Sequence, residues 1–89
     1  MNIRFYFDEE LGTLHIFKHD ITEYEVENVL INPGEDRKGK EGSRVAIGQT
    51  SSGRYIKIIY VPEPNSIFVI TAYELTGKPL SAYKKRRKK

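Results

Sequence analysis

The chain has 89 residues, 38% of them hydrophobic and 30% charged, and no cysteine. That length allows one domain, because a second core would have too little surface to bury. A collagen-like or low-complexity chain is excluded, as are a disulfide framework, a thiolate zinc site and a cysteine nucleophile. No apolar run approaches the ~18 residues of a membrane span, and Met1–Phe5 lacks a basic segment leading into an apolar one, so the expectation is a soluble, cytoplasmic domain without a secretory signal.

Ile3-Arg4-Phe5-Tyr6-Phe7 is rich in aromatics, ends at Asp8 and reads as a first strand. Glu9 to His19 is open to two readings. Asp8 can cap a helix with Glu9 and Glu10 in its first turn and Leu11, Leu14 and His15 on one face. Leu14 to Phe17 can equally be the second arm of a hairpin turning at Gly12. Thr22-Glu23-Tyr24-Glu25 is a capping box, with Ile21 and Val26 at staple positions. It opens a helix whose buried stripe is Val26, Val29 and Leu30 and whose end is Asn32-Pro33-Gly34. Glu35 to Ser43 reads as a polar loop without a core residue.

Three strands follow: Arg44–Thr50, Arg54–Val61 and Ile67–Leu75. The first two are joined by Ser51-Ser52-Gly53, the last two by the proline-bearing turn Pro62-Glu63-Pro64-Asn65. Links this short argue for an antiparallel meander. Ile56, Ile58, Ile59 and Val61 make the second strand the most apolar, as suits a central place. A turn near Ser52 pairs residues whose numbers sum to about 104, setting Arg44 opposite Tyr60 and Arg54 opposite Thr50. Lys78-Pro79-Leu80 starts a last helix, with proline where its missing N–H costs nothing. The class is α+β: a twisted antiparallel sheet of about four strands with helices packed on one face. The expected organisation is one domain over residues 1–83 and a basic tail over 84–89.

The formal net charge of +3 divides unevenly. Met1–Asn32 carry two basic and seven acidic residues, a net of −5; Pro33–Lys89 carry thirteen and five, a net of +8. A polyanion-binding face in the second half follows as a hypothesis, with the run Lys84 to Lys89 adding salt-sensitive attraction to phosphate. No phosphate-cradling loop, dinucleotide fingerprint or nucleophile elbow occurs. His15 and His19 share a helix face, yet two histidines do not make a zinc site and the H-E-x-x-H pattern is absent, so no metal and no cofactor is expected. What remains is arginine, lysine and tyrosine on a sheet. Guanidinium groups grip phosphate with two parallel bonds, and phenol rings stack on unpaired bases. Strand-end arginines and strand tyrosines also serve structure alone, so the argument lies in the set: Arg44, Arg54, Tyr55, Lys57, Tyr60 and Tyr73.

In order and spacing these segments resemble a known family. Phe5-Tyr6-Phe7-Asp8, then Lys18-His19, then the capped helix, resembles the opening of BrnT-type toxins. The likeness continues through Arg44-Val45-Ala46-Ile47-Gly48, Ser52-Gly53-Arg54, Val69-Ile70-Thr71-Ala72 and Tyr83. Thr71-Ala72-Tyr73-Glu74-Leu75 is similar to a stretch of the small DUF4258 proteins. The resemblance implies a RelE/ParE-like fold, a helix over Glu9 to Lys18, and a type II toxin that cleaves RNA and is neutralised by a cognate antitoxin. Arg44, Arg54, His19 and Tyr83 stand at family positions. Tyr73 stands where the family often has arginine, and Tyr60 where it often has histidine.

The leading expectation is therefore a metal-independent endoribonuclease of the toxin–antitoxin kind. Arg44 and Arg54 would contact phosphate, and His19 would serve as base because its ordinary pKa lies near neutrality. Lys57, Tyr60, Tyr73, Tyr83, Lys84 and Lys85 would bind the RNA. The alternative is a nucleic-acid-binding module or inactive toxin-like domain. The expected partners are RNA and an antitoxin with an acidic segment, and no membrane.

Overall fold

A computed structural model describes residues 2–88. It has seven strands, β1 (Ile3–Phe5), β2 (Phe7–Asp8), β3 (Thr13–Leu14), β4 (Glu35–Lys38), β5 (Arg44–Gln49), β6 (Tyr55–Glu63) and β7 (Ser66–Glu74), a 3-10 helix (His15–His19) and two α-helices, α1 (Glu23–Ile31) and α2 (Gly77–Arg87). The main sheet has five strands in the order β1-β7-β6-β5-β4, and β2 and β3 form a separate ribbon. No helix among the described residues is long and apolar enough to cross a membrane.

The α+β class and the meander stand as expected. β5, β6 and β7 pair antiparallel, Arg44 lies opposite Tyr60, and β6 is central. Gly53, at φ 94°, closes the β5–β6 turn by donating to the Thr50 carbonyl at 3.0 Å. That left-handed residue suits a three-residue hairpin loop.

Several expectations are corrected. The sheet is mixed, not antiparallel and four-stranded: β1 runs parallel to β7, with Ile3 opposite Ile67 and Phe5 opposite Val69. The segment taken for a loop contains β4, antiparallel to β5 along Glu35–Lys38. It shows no apolar alternation because it is a charged edge strand, a common guard against edge-to-edge association. Finally, Glu9 to Lys18 is not an α-helix. Phe7 pairs with Leu14 and Asp8 with Thr13, around a turn in which Gly12 takes φ 72°. The 3-10 helix follows and stops where Asp20 turns left-handed at φ 60°.

Helices cover both faces, not one. Successive strand residues point to opposite sides. Ile56, Ile58 and Tyr60 pack with Ile16, Ile21, Val26, Val29, Ala46, Val69 and Ala72, under α1 and the 3-10 helix. Tyr55 and Ile59 pack with Val45, Ile47, Leu75, Leu80 and Tyr83, under α2. The capping box forms as read: the Thr22 hydroxyl accepts from the Glu25 amide at 3.1 Å and the Glu25 carboxylate from the Thr22 amide at 3.0 Å. Lys84 to Arg87 continue α2 rather than forming a separate tail. Arg86 clasps Glu35 at 2.7 and 3.0 Å, and Arg87 donates to the Gly34 carbonyl at 2.7 Å. Met1 and Lys89, the ends of the expected domain and tail, lie outside the described residues.

Candidate functional site

The β2–β3 turn is organised by one carboxylate. Asp8 Oδ1 accepts from the amides of Glu10 (3.0 Å) and Leu11 (3.2 Å), which leaves Oδ2 facing His15 Nδ1 at 3.2 Å. The His15 bond first, with the two amides behind it, holds the Asp8 carboxyl below its usual range. The His15 amide donates to the Tyr6 carbonyl at 3.0 Å, and the two rings lie 5.8 Å apart. The 3-10 helix then carries His19 to within 5.3 Å of the His15 ring, edge to face. Burial, with the charges of His15 and Lys18, pushes His19 below the ordinary imidazole value, so it is neutral at pH 7. On its other side His19 meets Tyr73 of β7 at 6.1 Å. Lys57, opposite Tyr73 in the ladder, brings its ammonium to 5.8 Å from the phenol ring.

The result is a continuous row: Asp8, His15, His19, Tyr73, Lys57, all half-buried. Chemically it offers an imidazole oriented by a carboxylate, a second imidazole that is neutral at physiological pH, a cation and an aromatic face. Two imidazoles this close can reach opposite oxygens of one phosphate group. Among the described residues no three or more histidine, aspartate or glutamate side chains converge as metal ligands.

The row unites His19, Lys57 and Tyr73 of the sequence-predicted set and leaves the others elsewhere. Arg44 and Tyr60 meet on Asp36, whose carboxylate accepts from Arg44 Nε at 2.8 Å and from the Tyr60 hydroxyl at 2.6 Å. Tyr60 is buried, and burial first, then Asp36, raises its phenol pKa, so it stays a neutral donor. Arg54 crosses to α1. It donates to both Glu25 oxygens at 3.0 and 2.8 Å, to the Asp20 carbonyl at 3.1 Å and to Glu74 at 3.2 Å. Neither guanidinium is free for phosphate in this arrangement. Tyr83 is only 4% exposed, in the core under α2. Lys84 lies over the Tyr55 ring at 5.1 Å, and Lys85 is exposed on α2.

Sequence reasoning missed Asp8 and Tyr6, and weighed His15 only as a metal ligand. The signal was the closeness of His15 and His19 in sequence, which keeps the two side chains within one short helical segment. Nothing local shows that Asp8 folds back on His15, because that contact depends on a hairpin the pattern left undecided.

One protein family matches the chain, described as "Domain of unknown function (DUF4258)", over residues 14–74. The match includes His15, His19, Lys57 and Tyr73 and leaves Asp8 and α2 outside. No curated protein and no solved structure matches.

Proposed function

The chain belongs to the DUF4258 family, and on that premise we propose that it is a BrnT-like toxin domain of the RelE/ParE kind, cleaving RNA in the cytoplasm without a metal ion. The observation that carries the reading is the pairing of two imidazoles at 5.3 Å, with Asp8 behind one and Tyr73 and Lys57 beyond the other. His19, neutral at pH 7, takes the proton from a ribose 2′-OH. The 2′-oxygen attacks the adjacent phosphorus, the bond from phosphorus to the 5′-oxygen breaks, and a 2′,3′-cyclic phosphate forms. His15, with Nδ1 directed at Asp8, delivers a proton from its other ring nitrogen to the leaving 5′-oxygen. Lys57 offsets charge gathering on the phosphate oxygens, and Tyr73 supports a base by stacking.

Arg44 and Arg54 take structural parts in this reading, and the acid–base pair moves from His19 alone to His19 with His15. A cognate antitoxin acts by covering the same row, its acidic segment meeting Lys57. The test is single-stranded RNA incubated with the protein in EDTA. Fragments ending in 2′,3′-cyclic phosphate are expected, with His19→Ala and His15→Ala each slowing cleavage by about 10²–10⁴-fold. Cleavage unchanged in both variants refutes the site.

The second reading is binding without cleavage. It is favoured by the ion pairs of Arg44 and Arg54, which leave lysines, Lys18 beside His19 and Lys57 on Tyr73, as the cations of the row. RNA that stays intact yet binds with an affinity falling steeply with salt would establish it.

A further inference from the structure

Beyond Lys57 of the imidazole row, a second group of cations without a carboxylate partner lies at the end of α2. Of the six arginines, Arg4, Arg37, Arg44, Arg54 and Arg86 each hold a carboxylate within 3.3 Å. Arg87 has no such partner among the described residues and donates to the Gly34 carbonyl instead. That bond fixes its guanidinium at the rim of a cavity of about 510 Å³ between the end of α2 and the α1–β4 connection. Lys84 and Lys88 line the same cavity, together with the amides of Asn32 and Gln49, and no carboxylate side chain does among the described residues. Glu35, the nearest acid in sequence, is occupied by Arg86 and Arg37. Lys84 is held over the Tyr55 ring, and Tyr55 also lines the cavity.

Tyr55 is two residues before Lys57 on the same face of β6, about 6.6 Å along the strand. The cavity therefore adjoins the imidazole row through Tyr55 and Lys57. We infer that this α2 cavity is a phosphate site for a nucleotide neighbouring the one at His15 and His19, so that an RNA strand runs from Tyr73 over Lys57 and Tyr55 to Lys84, Arg87 and Lys88. The inference rests on the proposed RNA-directed function for its ligand. Its chemistry, three cations and two amide side chains around a concave space without an acid, is that of an oxyanion site. Positive charge at the end of α2 also meets the negative pole of the helix, which helps hold the lysines there in the absence of ligand.

The probe is a 2′-O-methyl single-stranded oligonucleotide, which has no 2′-OH to attack, with inorganic phosphate as the second arm. The oligonucleotide should shift the backbone amide resonances of Gly34, Gln49 and Tyr55. In the double variant Lys84→Ala, Arg87→Gln the slope of log affinity against log salt should flatten by about 1.4, from about 0.7 per phosphate contact on a single strand. Lys84→Ala alone, an exposed change, should flatten it by about half as much. An unchanged slope in both variants overturns the inference. Inorganic phosphate shifting these amides while the oligonucleotide does not would overturn the RNA assignment too. The readout does not depend on cleavage. If no RNA is cut, the catalytic proposal fails while the cavity is still judged by its slope. If a dinucleotide is cut equally by wild type and double variant and the slope is unchanged, the cavity fails and the imidazole row survives.

Discussion

Replacing Arg54 by alanine separates its two readings, phosphate ligand and internal brace. In the structure its guanidinium ties β6 to the start of α1 through Glu25 and Asp20 and to β7 through Glu74. The Glu25 side chain is 12% exposed and that of Arg54 27%, whereas that of Glu74 is 43% exposed. Breaking a fully buried pair by removing one partner costs about 3–5 kcal/mol, and an exposed pair contributes at most about 1 kcal/mol. Glu25 keeps its bond from the Thr22 amide, so its carboxylate is not wholly stranded. The expected loss for Arg54→Ala is therefore about 2–3 kcal/mol. For a domain of this size that corresponds to a fall in Tm of about 10–20 °C. Urea unfolding followed by circular dichroism, with thermal scans beside it, measures both. Arg54→Lys, which keeps the charge but not the two-pronged geometry, should lose less. A stability for Arg54→Ala within about 0.5 kcal/mol of the parent, the range of an ordinary surface change, would refute the brace. If that well-folded variant also lost its grip on RNA, Arg54 would belong with the phosphate.

The remaining predictions concern pH and close packing. His19 has its folded pKa below the ordinary value of about 6.5, so the unfolded chain takes up that proton first. Stability should fall as pH drops from about 6.5 towards the folded value and level off below it. His19→Gln should remove that step from a series of urea midpoints. The same titration gives cleavage an acid limb, with the rate rising as His19 deprotonates; a rate flat from pH 5 to 8 would exclude His19 as the base. Gly34 is needed because a Cβ there would collide with the Tyr83 hydroxyl. Gly34→Ala should cost about 1–3 kcal/mol by overpacking, and Tyr83→Phe in the same chain should recover part of it, a coupling that a double-mutant cycle of thermal melts would show.

The readable parts of this chain are those whose determinants are local. Thr22 and Glu25 specify a helix start because both partners of the capping box lie within four residues. Ser51-Ser52-Gly53 specifies a hairpin register because a short loop leaves no freedom in pairing, and Arg44 duly faces Tyr60. The alternation in Ile56, Ile58 and Tyr60 marks a strand with one wholly buried face. Charge was legible only as a sum. A basic second half is visible in the sequence, but which cations are neutralised is not, because Arg54 meets Glu25 from 29 residues away and Arg86 meets Glu35 from 51.

Tertiary structure decided the rest through pairings between distant segments. β1 finds β7 across more than sixty residues, in a parallel ladder for which no turn signals the register. β4 is a strand because the open edge of β5 offers hydrogen bonds to any adjacent backbone, whatever side chains that backbone carries. The balanced choice over Glu9 to His19 was resolved into a hairpin followed by a 3-10 turn, which set His15 against Asp8 and carried His19 to Tyr73. Local preference there was evenly poised, so burial of Ile16 in the first core cluster was enough to choose, and with that choice came the imidazole pair.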